Sequence, residues 1–299
     1  MNLCDQTIPC TELRVAAVDV PLTEEMLGAL DLAGSCYTNL ETGLALVWVF
    51  AASPTAAEAA RARIAEGLPA WAAGFQGPLP TPAVVHLRQE DWAHSWRRLF
   101  KAFRISRRLV LKPSWEAWPA AAGDLVIELD PGMCFGTGYH GTTRACLEFM
   151  DDLAARLGAV AFLDAGCGSG ILSLAAAKLG FDPIYAFDHD PQAVQMAREN
   201  LAGAGVRHVP LVSADLADYV PPRPCRVVAA NILAPVLLAQ RQHLCQWLDL
   251  TAGPAYLVLA GILAEQYPPL RDAMCALGCR EVGCRAIDEW TSGCFECAP

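Results

Sequence analysis

Phe162-Leu-Asp-Ala-Gly-Cys-Gly-Ser-Gly170 decides how this chain is read. The apolar run Val160, Ala161, Phe162, Leu163 has the character of a buried parallel strand. It ends in Asp164, glycines follow at 166, 168 and 170, and Ile171–Leu179 continues with helical character. A strand, a glycine turn and a helix start in succession form a cradle for a nucleotide-like ligand. The ligand must approach the backbone where side chains would obstruct it. Spacing then narrows the ligand. A dinucleotide fingerprint needs glycine at position 171, where Ile171 stands, and lays pyrophosphate on the helix N-terminus. Here the pattern is D-x-G-x-G-x-G, with an acid where a pyrophosphate would bring negative charge.

Outward from this turn, strands and helices alternate from residue 124 to the end, the pattern of a doubly wound α/β sheet. Strands are expected at Ala159–Leu163, Ile184–Phe187, His208–Val212, Val227–Ala230 and Tyr256–Leu259. Helices are expected at Thr142–Leu157, Ile171–Leu179, Pro191–Ala202, Pro235–Leu248 and Glu265–Ala276, with a closing antiparallel pair at Glu281–Ile287 and Gly293–Ala298. Residues 11–87 read as a small α+β unit. Leu13–Val20, Leu44–Phe50 and Ala83–Leu87 look like strands, Ala56–Ala65 like a helix, and Thr23–Leu32 like a helix capped by Thr23. Between the two parts, Trp92, Trp96, Phe100 and Phe103 recur at helical intervals among Arg97, Arg98, Lys101 and Arg104, with Arg107, Arg108 and Lys112 following. Aromatics interleaved with cations are compatible with RNA contact. An amphipathic linker helix with its cations in water is the favoured reading. The expected division is an N-terminal domain over 1–89, a linker helix and connector over 90–122, and the wound domain over 123–299.

The 299 residues carry 54% hydrophobic side chains and a formal charge of −10, enough for a substantial core and unsuited to broad phosphate-backbone binding. No apolar run reaches membrane-spanning length, and the first residues lack the features of a secretory signal. A cytoplasmic protein, monomeric, without membrane or stable nucleic-acid contact, is expected. Thirteen cysteines are many, but a disulfide framework is not expected in a core-rich chain of this kind. Cys294-x-x-Cys297 has ligand-like spacing without a second pair or a nearby histidine, so no metal is expected. Cys284 and Cys294 read as small buried hydrophobes.

Three polar residues outside the turn stand where ligands bind in a wound sheet, beyond the carboxyl ends of the strands. Asp188 ends the second strand, where a carboxylate can accept hydrogen bonds from both hydroxyls of a ribose. The capping of the next helix belongs to Asp190, immediately before Pro191. Asp215 follows the third strand and reads equally as an adenine contact or a turn residue. Asn231 ends the fourth strand; its side-chain carbonyl can accept a hydrogen bond from an amine, and a helix-capping role is the alternative. Upstream, Asp130-Pro-Gly-Met-Cys-Phe-Gly-Thr-Gly-Tyr-His-Gly-Thr-Thr143 is a glycine-rich loop that reads as a lid or clamp.

The turn at 164–170 resembles the first motif of the class I S-adenosylmethionine-dependent methyltransferases. Taken in order, Asp91-Trp-Ala-His-Ser-Trp, Leu111-Lys-Pro-Ser-Trp, the 129–143 loop, Asp164-Ala-Gly-Cys-Gly-Ser-Gly, Asp188-His-Asp-Pro, Ala230-Asn-Ile-Leu-Ala and Leu259-Ala-Gly-Ile-Leu-Ala-Glu-Gln are similar to the PrmA family. That family methylates ribosomal protein eleven of the large subunit. The resemblance implies a class I sheet with a smaller ferredoxin-like N-terminal domain that captures the substrate, and S-adenosylmethionine as cofactor. It implies methyl transfer to lysine and N-terminal amines of that ribosomal protein. Cofactor contacts then fall on Thr143, Asp164, Gly166, Gly168, Asp188 and Asn231, with Asn231 the catalytic residue that orients the amine. Where relatives carry Thr-His-Pro-Thr-Thr, this chain has Tyr139-His-Gly-Thr-Thr143, a change expected to loosen the loop and alter access for the amine. A lysine methyltransferase for a different protein, and a module that binds S-adenosylmethionine without turnover, are the alternatives.

Overall fold

Alternating apolar residues at 13, 15, 47 and 49 give the N-terminal sheet one face to bury, and two helices cover it. The computed structural model describes residues 7–39, 43–88, 100–130 and 140–299. Two compact units, Met1–Leu99 and Phe100–Pro299, divide the chain.

In the first unit β1 (Thr7–Ala16), α1 (Val20–Ala29), β2 (Ser35–Asn39), β3 (Leu44–Phe50), α2 (Pro54–Trp71) and β4 (Ala83–Arg88) form one sheet in the order β2-β3-β1-β4. β1 pairs antiparallel with both β3 and β4. This is the ferredoxin-like arrangement. Leu13, Val15, Val47 and Val49 pack against Met26 and Leu27 of α1 and Ile64 and Leu68 of α2. One expectation is corrected here. Thr23 lies inside α1 rather than at its start, its hydroxyl donating to the Asp19 carbonyl one turn back (2.8 Å). A buried threonine satisfies its hydroxyl this way and so mimics a cap in the sequence.

The second unit opens with β5 (Phe103–Arg104), β6 (Leu109–Lys112) and β7 (Leu125–Glu128), a three-stranded sheet in that order. The aromatic stretch expected to be a linker helix falls mostly on 89–99, outside the described residues. Beyond it the expectation fails: Phe103 belongs to a strand and packs on the main core. Nor do the described cations of this segment simply face water. Lys101 pairs with Glu116, Arg104 with Asp124, Arg108 with Asp151 and Lys112 with Glu128. From Phe100 on, the segment expected to be a connector belongs to the second unit and is tied to its later elements by the pairs to Asp124, Glu128 and Asp151.

The main sheet is built from β8 (Phe162–Ala165), β9 (Ile184–Asp188), β10 (Leu211–Ser213), β11 (Val227–Asn231), β12 (Ala255–Leu263), β13 (Cys279–Ile287) and β14 (Trp290–Cys297). Helices α3 (Gly141–Leu157), α4 (Ile171–Leu179), α5 (Pro191–Gly203), α6 (Ala234–Gln246) and α7 (Tyr267–Ala276) connect the strands. Strand order is β10-β9-β8-β11-β12-β14-β13, the first five parallel and the last two antiparallel. Both faces are buried. Phe162, Val227, Ala229 and Val258 point into one core, while Leu163, Val228, Ala230 and Leu257 point into the other. Helices on both sides explain why these strands read as continuous apolar runs. The winding reverses between β8 and β11, and a crevice opens beyond their carboxyl ends. No helix among the described residues is long and apolar enough to cross a membrane.

The cysteines depart from expectation. Cys279 and Cys297 lie directly opposite across β13 and β14, with Cα atoms 4.4 Å apart, and form a disulfide. Antiparallel register brings together residues that sequence distance keeps apart. Cys294 and Cys297, by contrast, cannot serve one site. An odd offset along a strand sends their side chains to opposite faces, and each joins a different core. Cys294 is a buried hydrophobe as expected, whereas Cys284 is exposed.

Candidate active site

Asp164 occupies the last turn of the pleat before the glycines and is fully buried. Its Oδ2 accepts from the Ser173 backbone N–H (3.0 Å) and hydroxyl (2.7 Å), which fastens the strand end to α4. Its Oδ1 is buried without a hydrogen-bond partner among the described residues. Burial pushes the carboxyl up to about 7 against the Ser173 hydrogen bonds, and the neighbouring Asp188 charge adds to the rise. An orphaned buried carboxylate oxygen is a seat for a cationic or donor group.

The turn works because Gly166, Gly168 and Gly170 take φ of 77°, 51° and 79°, values that side chains disfavour. At Gly166 a Cβ would also meet the Ile232 side chain at 2.6 Å. The Gly168 N–H donates to Asp188 Oδ2 (2.9 Å), and the Asp190 N–H donates to Oδ1 (3.0 Å). Asp188 therefore clamps the glycine turn to the end of β9, a role invisible in the sequence. Asp190 takes the cap of α5, accepting from the Gln192 N–H (2.8 Å).

Asn231 and Thr143 lie far apart in the chain and meet here: Asn231 Nδ2 donates to Thr143 Oγ1 (3.2 Å). Thr143 is fully buried in the first turn of α3. Asn231 Oδ1 is buried and unpartnered among the described residues. Asn231 does not cap α6, which begins at Ala234 with Leu233 before it.

A cavity of about 470 Å³ opens beside these groups, lined by Gly166, Phe187, Asp215, Asn231, Ile232 and Trp290 among others. Thr143, Asp164, Gly168 and Asp188 are not among the residues lining it. Asp215 takes the turn role expected as one of its alternatives, its carboxylate accepting from the Ala217 N–H (2.8 Å), and also stands on the cavity wall. Phe187 stacks on Tyr219 with centroids 4.0 Å apart, giving the cavity an aromatic wall. Phe187 was legible only as a core residue. Trp290, on the β13–β14 turn, carried no signal at all, because register across β12 and β14 brings it there.

Of the glycine-rich loop, 131–139 lie outside the described residues, Tyr139 among them. Its ends are anchored. Asp130 accepts from the Ser114 N–H (2.6 Å) and hydroxyl (2.8 Å), and His140 Nδ1 accepts from the Thr142 N–H (3.4 Å) at the start of α3. The His140 ring meets Trp290 edge-on at 5.0 Å. Burial lowers its pKa despite the nearby Glu289 and Asp288. At Gly141 a Cβ would stand 2.7 Å from Ile287 Cγ2. Glycine here makes room for the end of β13 and begins a helix, so loosening is not its described effect.

The residues present fit a sulfonium-bearing nucleoside. The turn offers close backbone approach, Asp164 and Asn231 offer vacant buried acceptors, and Asp188 stands at the strand end where a ribose is held. Sheet order and glycine turn together are those of a class I S-adenosylmethionine-dependent methyltransferase.

Comparison with known proteins narrows this. The family model for ribosomal protein L11 methyltransferase (PrmA) matches residues 57–296. A ribosomal protein L11 methyltransferase of Geobacter metallireducens is 46% identical over 231 residues, covering 76% of this chain and 72% of that one. Another from Geotalea daltonii is 35% identical over 97% of both chains. Among solved structures, a ribosomal protein L11 methylase from Lactobacillus delbrueckii subsp. bulgaricus superposes with a TM-score of 0.58 at 28% identity, over 66% of this chain and 97% of that one. The chain belongs to the ribosomal protein L11 methyltransferase family, and its methyl donor is S-adenosylmethionine.

Proposed function

We propose that this enzyme transfers methyl groups from S-adenosylmethionine to lysine and N-terminal amines of ribosomal protein L11, with Asn231 orienting the amine. The donor supplies an electrophilic methyl on sulfur, open to in-line attack by a lone pair. Thr143, Asp164, Gly166, Gly168, Asp188 and Asn231 hold that donor. Glycine backbone would lie against it, Asp188 would receive ribose hydroxyls, and Asp164 would face its positive charge.

The observation that carries the reading is the Asn231 side chain, held by Thr143 through Nδ2 with its Oδ1 buried and unpartnered among the described residues. A neutral acceptor so placed takes an N–H from an incoming amine and aims the nitrogen lone pair. A free lysine ammonium has a pKa of about 10.4, so the amine must shed a proton before attack. Transfer into the apolar cavity favours the neutral form, and the proton leaves to water. Phe187, Leu216 and Val236 supply that apolar lining. The N-terminal domain over 1–89 captures the substrate protein, and the enzyme works as a monomer in the cytoplasm without holding nucleic acid.

The full chain, incubated with methyl-labelled S-adenosylmethionine and a large-subunit protein extract, is expected to label L11. Label on other proteins with L11 unlabelled would overturn the substrate.

A further inference from the structure

The disulfide at the far edge of the main sheet has a third sulfur beside it. Cys245, in the last turn of α6, places its Sγ 3.8 Å from Cys279 Sγ. The ligand atoms of Cys245, Cys279 and Cys297 all lie within 4.8 Å of one another. Among the described residues this is the group with the donor set and spacing of a metal site. Three different elements supply it: α6, the start of β13 and the end of β14. All three sulfurs belong to the same face of the sheet, since Cys279 and Cys297 join one core and Cys245 packs against it.

This end of the sheet is remote from the methyl donor. Cys297 pairs with Ala255, the first residue of β12, whereas Asn231 pairs with Ala260 near that strand's other end. Nothing in the methyl-transfer reading uses these thiols.

We propose that Cys245, Cys279 and Cys297 form a tri-thiolate site for a thiophilic divalent cation such as zinc(II), closed while the Cys279–Cys297 disulfide stands and opened by its reduction. Tetrahedral thiolates about 2.3 Å from zinc stand roughly 3.8 Å apart. The Cys245–Cys279 separation already matches this at 3.8 Å. Cys279 and Cys297 need only part by rotation about their side chains once the bond between them is gone. The chemistry balances with a phosphine as reductant. Phosphorus gives two electrons to the sulfur–sulfur bond and ends as phosphine oxide. One water supplies the oxygen and both thiol protons. Zinc(II) then displaces three thiol protons to buffer, binds three thiolates, and keeps water in its fourth position. Burial raises the Cys245 thiol pKa, so it stays protonated until a metal displaces the proton.

The test uses the full chain, reduced with a phosphine, freed of reductant without air, and titrated with zinc(II) against a chromogenic chelator. The expected result is one zinc per chain after reduction and none before it. Alkylation of the zinc-loaded chain, mapped by mass spectrometry, is expected to spare Cys245, Cys279 and Cys297 and to modify exposed Cys275. Cys245→Ser is expected to weaken binding by about 100-fold or more, and Cys275→Ser to leave it unchanged. The proposal is overturned if the reduced chain retains no zinc, if the unreduced chain binds equally, or if the protection from alkylation that zinc adds to the reduced chain falls on other cysteines. The alkylation map uses the unsubstituted chain, so it decides the matter even if Cys245→Ser fails to fold.

Discussion

The two ends of the main sheet are built from the same strands and have opposite chemistry. At the carboxyl ends of β8 and β11, polar atoms are buried without partners among the described residues: Asp164 Oδ1 and Asn231 Oδ1. At the amino ends most side chains are apolar or sulfur, with Cys225, Ala255, Cys279 and Cys297 packed among Trp247 and Leu248. The exception is Arg226, which donates to the Pro254 carbonyl while its Nε is buried without a partner among the described residues. Burying an unsatisfied acceptor costs about 1–3 kcal/mol, so a fold keeps one where a ligand will satisfy it. At the amino end, cores close over the same sheet. Stability and methyl-transfer chemistry are thus divided between the two ends, and substitutions can test that division.

The largest effect is expected from Gly261→Ala. Gly261 has φ of 84°, and a Cβ there would stand 2.4 Å from the Ile232 carbonyl oxygen, a backbone atom that cannot swing aside. Strain and clash together are expected to cost about 3 kcal/mol or more of stability and to displace Asn231, its near neighbour. Urea unfolding and a methyl-transfer assay should fall together.

Next comes Asn231→Ala, which is expected to lower kcat about 10²-fold or more while leaving stability within about 1 kcal/mol. Donor affinity measured by calorimetry should change far less than kcat. Full activity in this variant would remove the positioning role and with it the special status of the carboxyl end.

A third test is the pH response of Asp164. Its folded pKa, raised to about 7, lies above its unfolded value, so the folded state holds the proton more tightly. Between the unfolded value near 3.9 and the folded value the native state binds more protons, and stability contributed by this group falls as pH rises. Above about 7 the contribution is flat. Ligand-free protein should therefore lose thermal stability across that window. The Asp164→Asn profile should lack this slope, so the difference between the two profiles should fall across the window. A flat difference would show that the carboxyl is not held in its raised state.

The smallest effect is expected at the amino end. Cys225→Ala, at a fully buried position before β11, should cost about 1 kcal/mol with kcat/KM unchanged. A loss of activity there, with stability intact, would break the division between the ends.

How much of this was legible follows from the range of each interaction. The glycine turn, Asp188, and the alternation of the wound domain are local patterns, and the helices and strands from 141 onward fall close to where periodicity places them. Thr23 misled because a hydroxyl inside a helix bonds its own backbone as a cap does. Phe103 misled because an aromatic repeat was carried past the point where β5 begins, and β2, β6 and β7 are too short to announce themselves. The site divides in the same way. Asp188 was read as a ribose ligand, yet its clamp on Gly168 depends on two neighbouring strand ends. Phe187 and Trp290 reach the cavity through the packing of β9 and the pairing of β14.

By itself the sequence determined the cofactor cradle, because glycine torsions, strand periodicity and the acid at 164 act within a few residues of one another. It also determined that Asn231 stands at a strand end. Only the tertiary structure decided that Thr143 would hold Asn231, that Cys245 would come to rest against the Cys279–Cys297 pair, and that Cys294 would be turned away from it. Those outcomes rest on sheet register and helix packing, which join residues dozens of positions apart. The free energy that selects them is the burial of whole faces, and no single residue in the chain carries its mark.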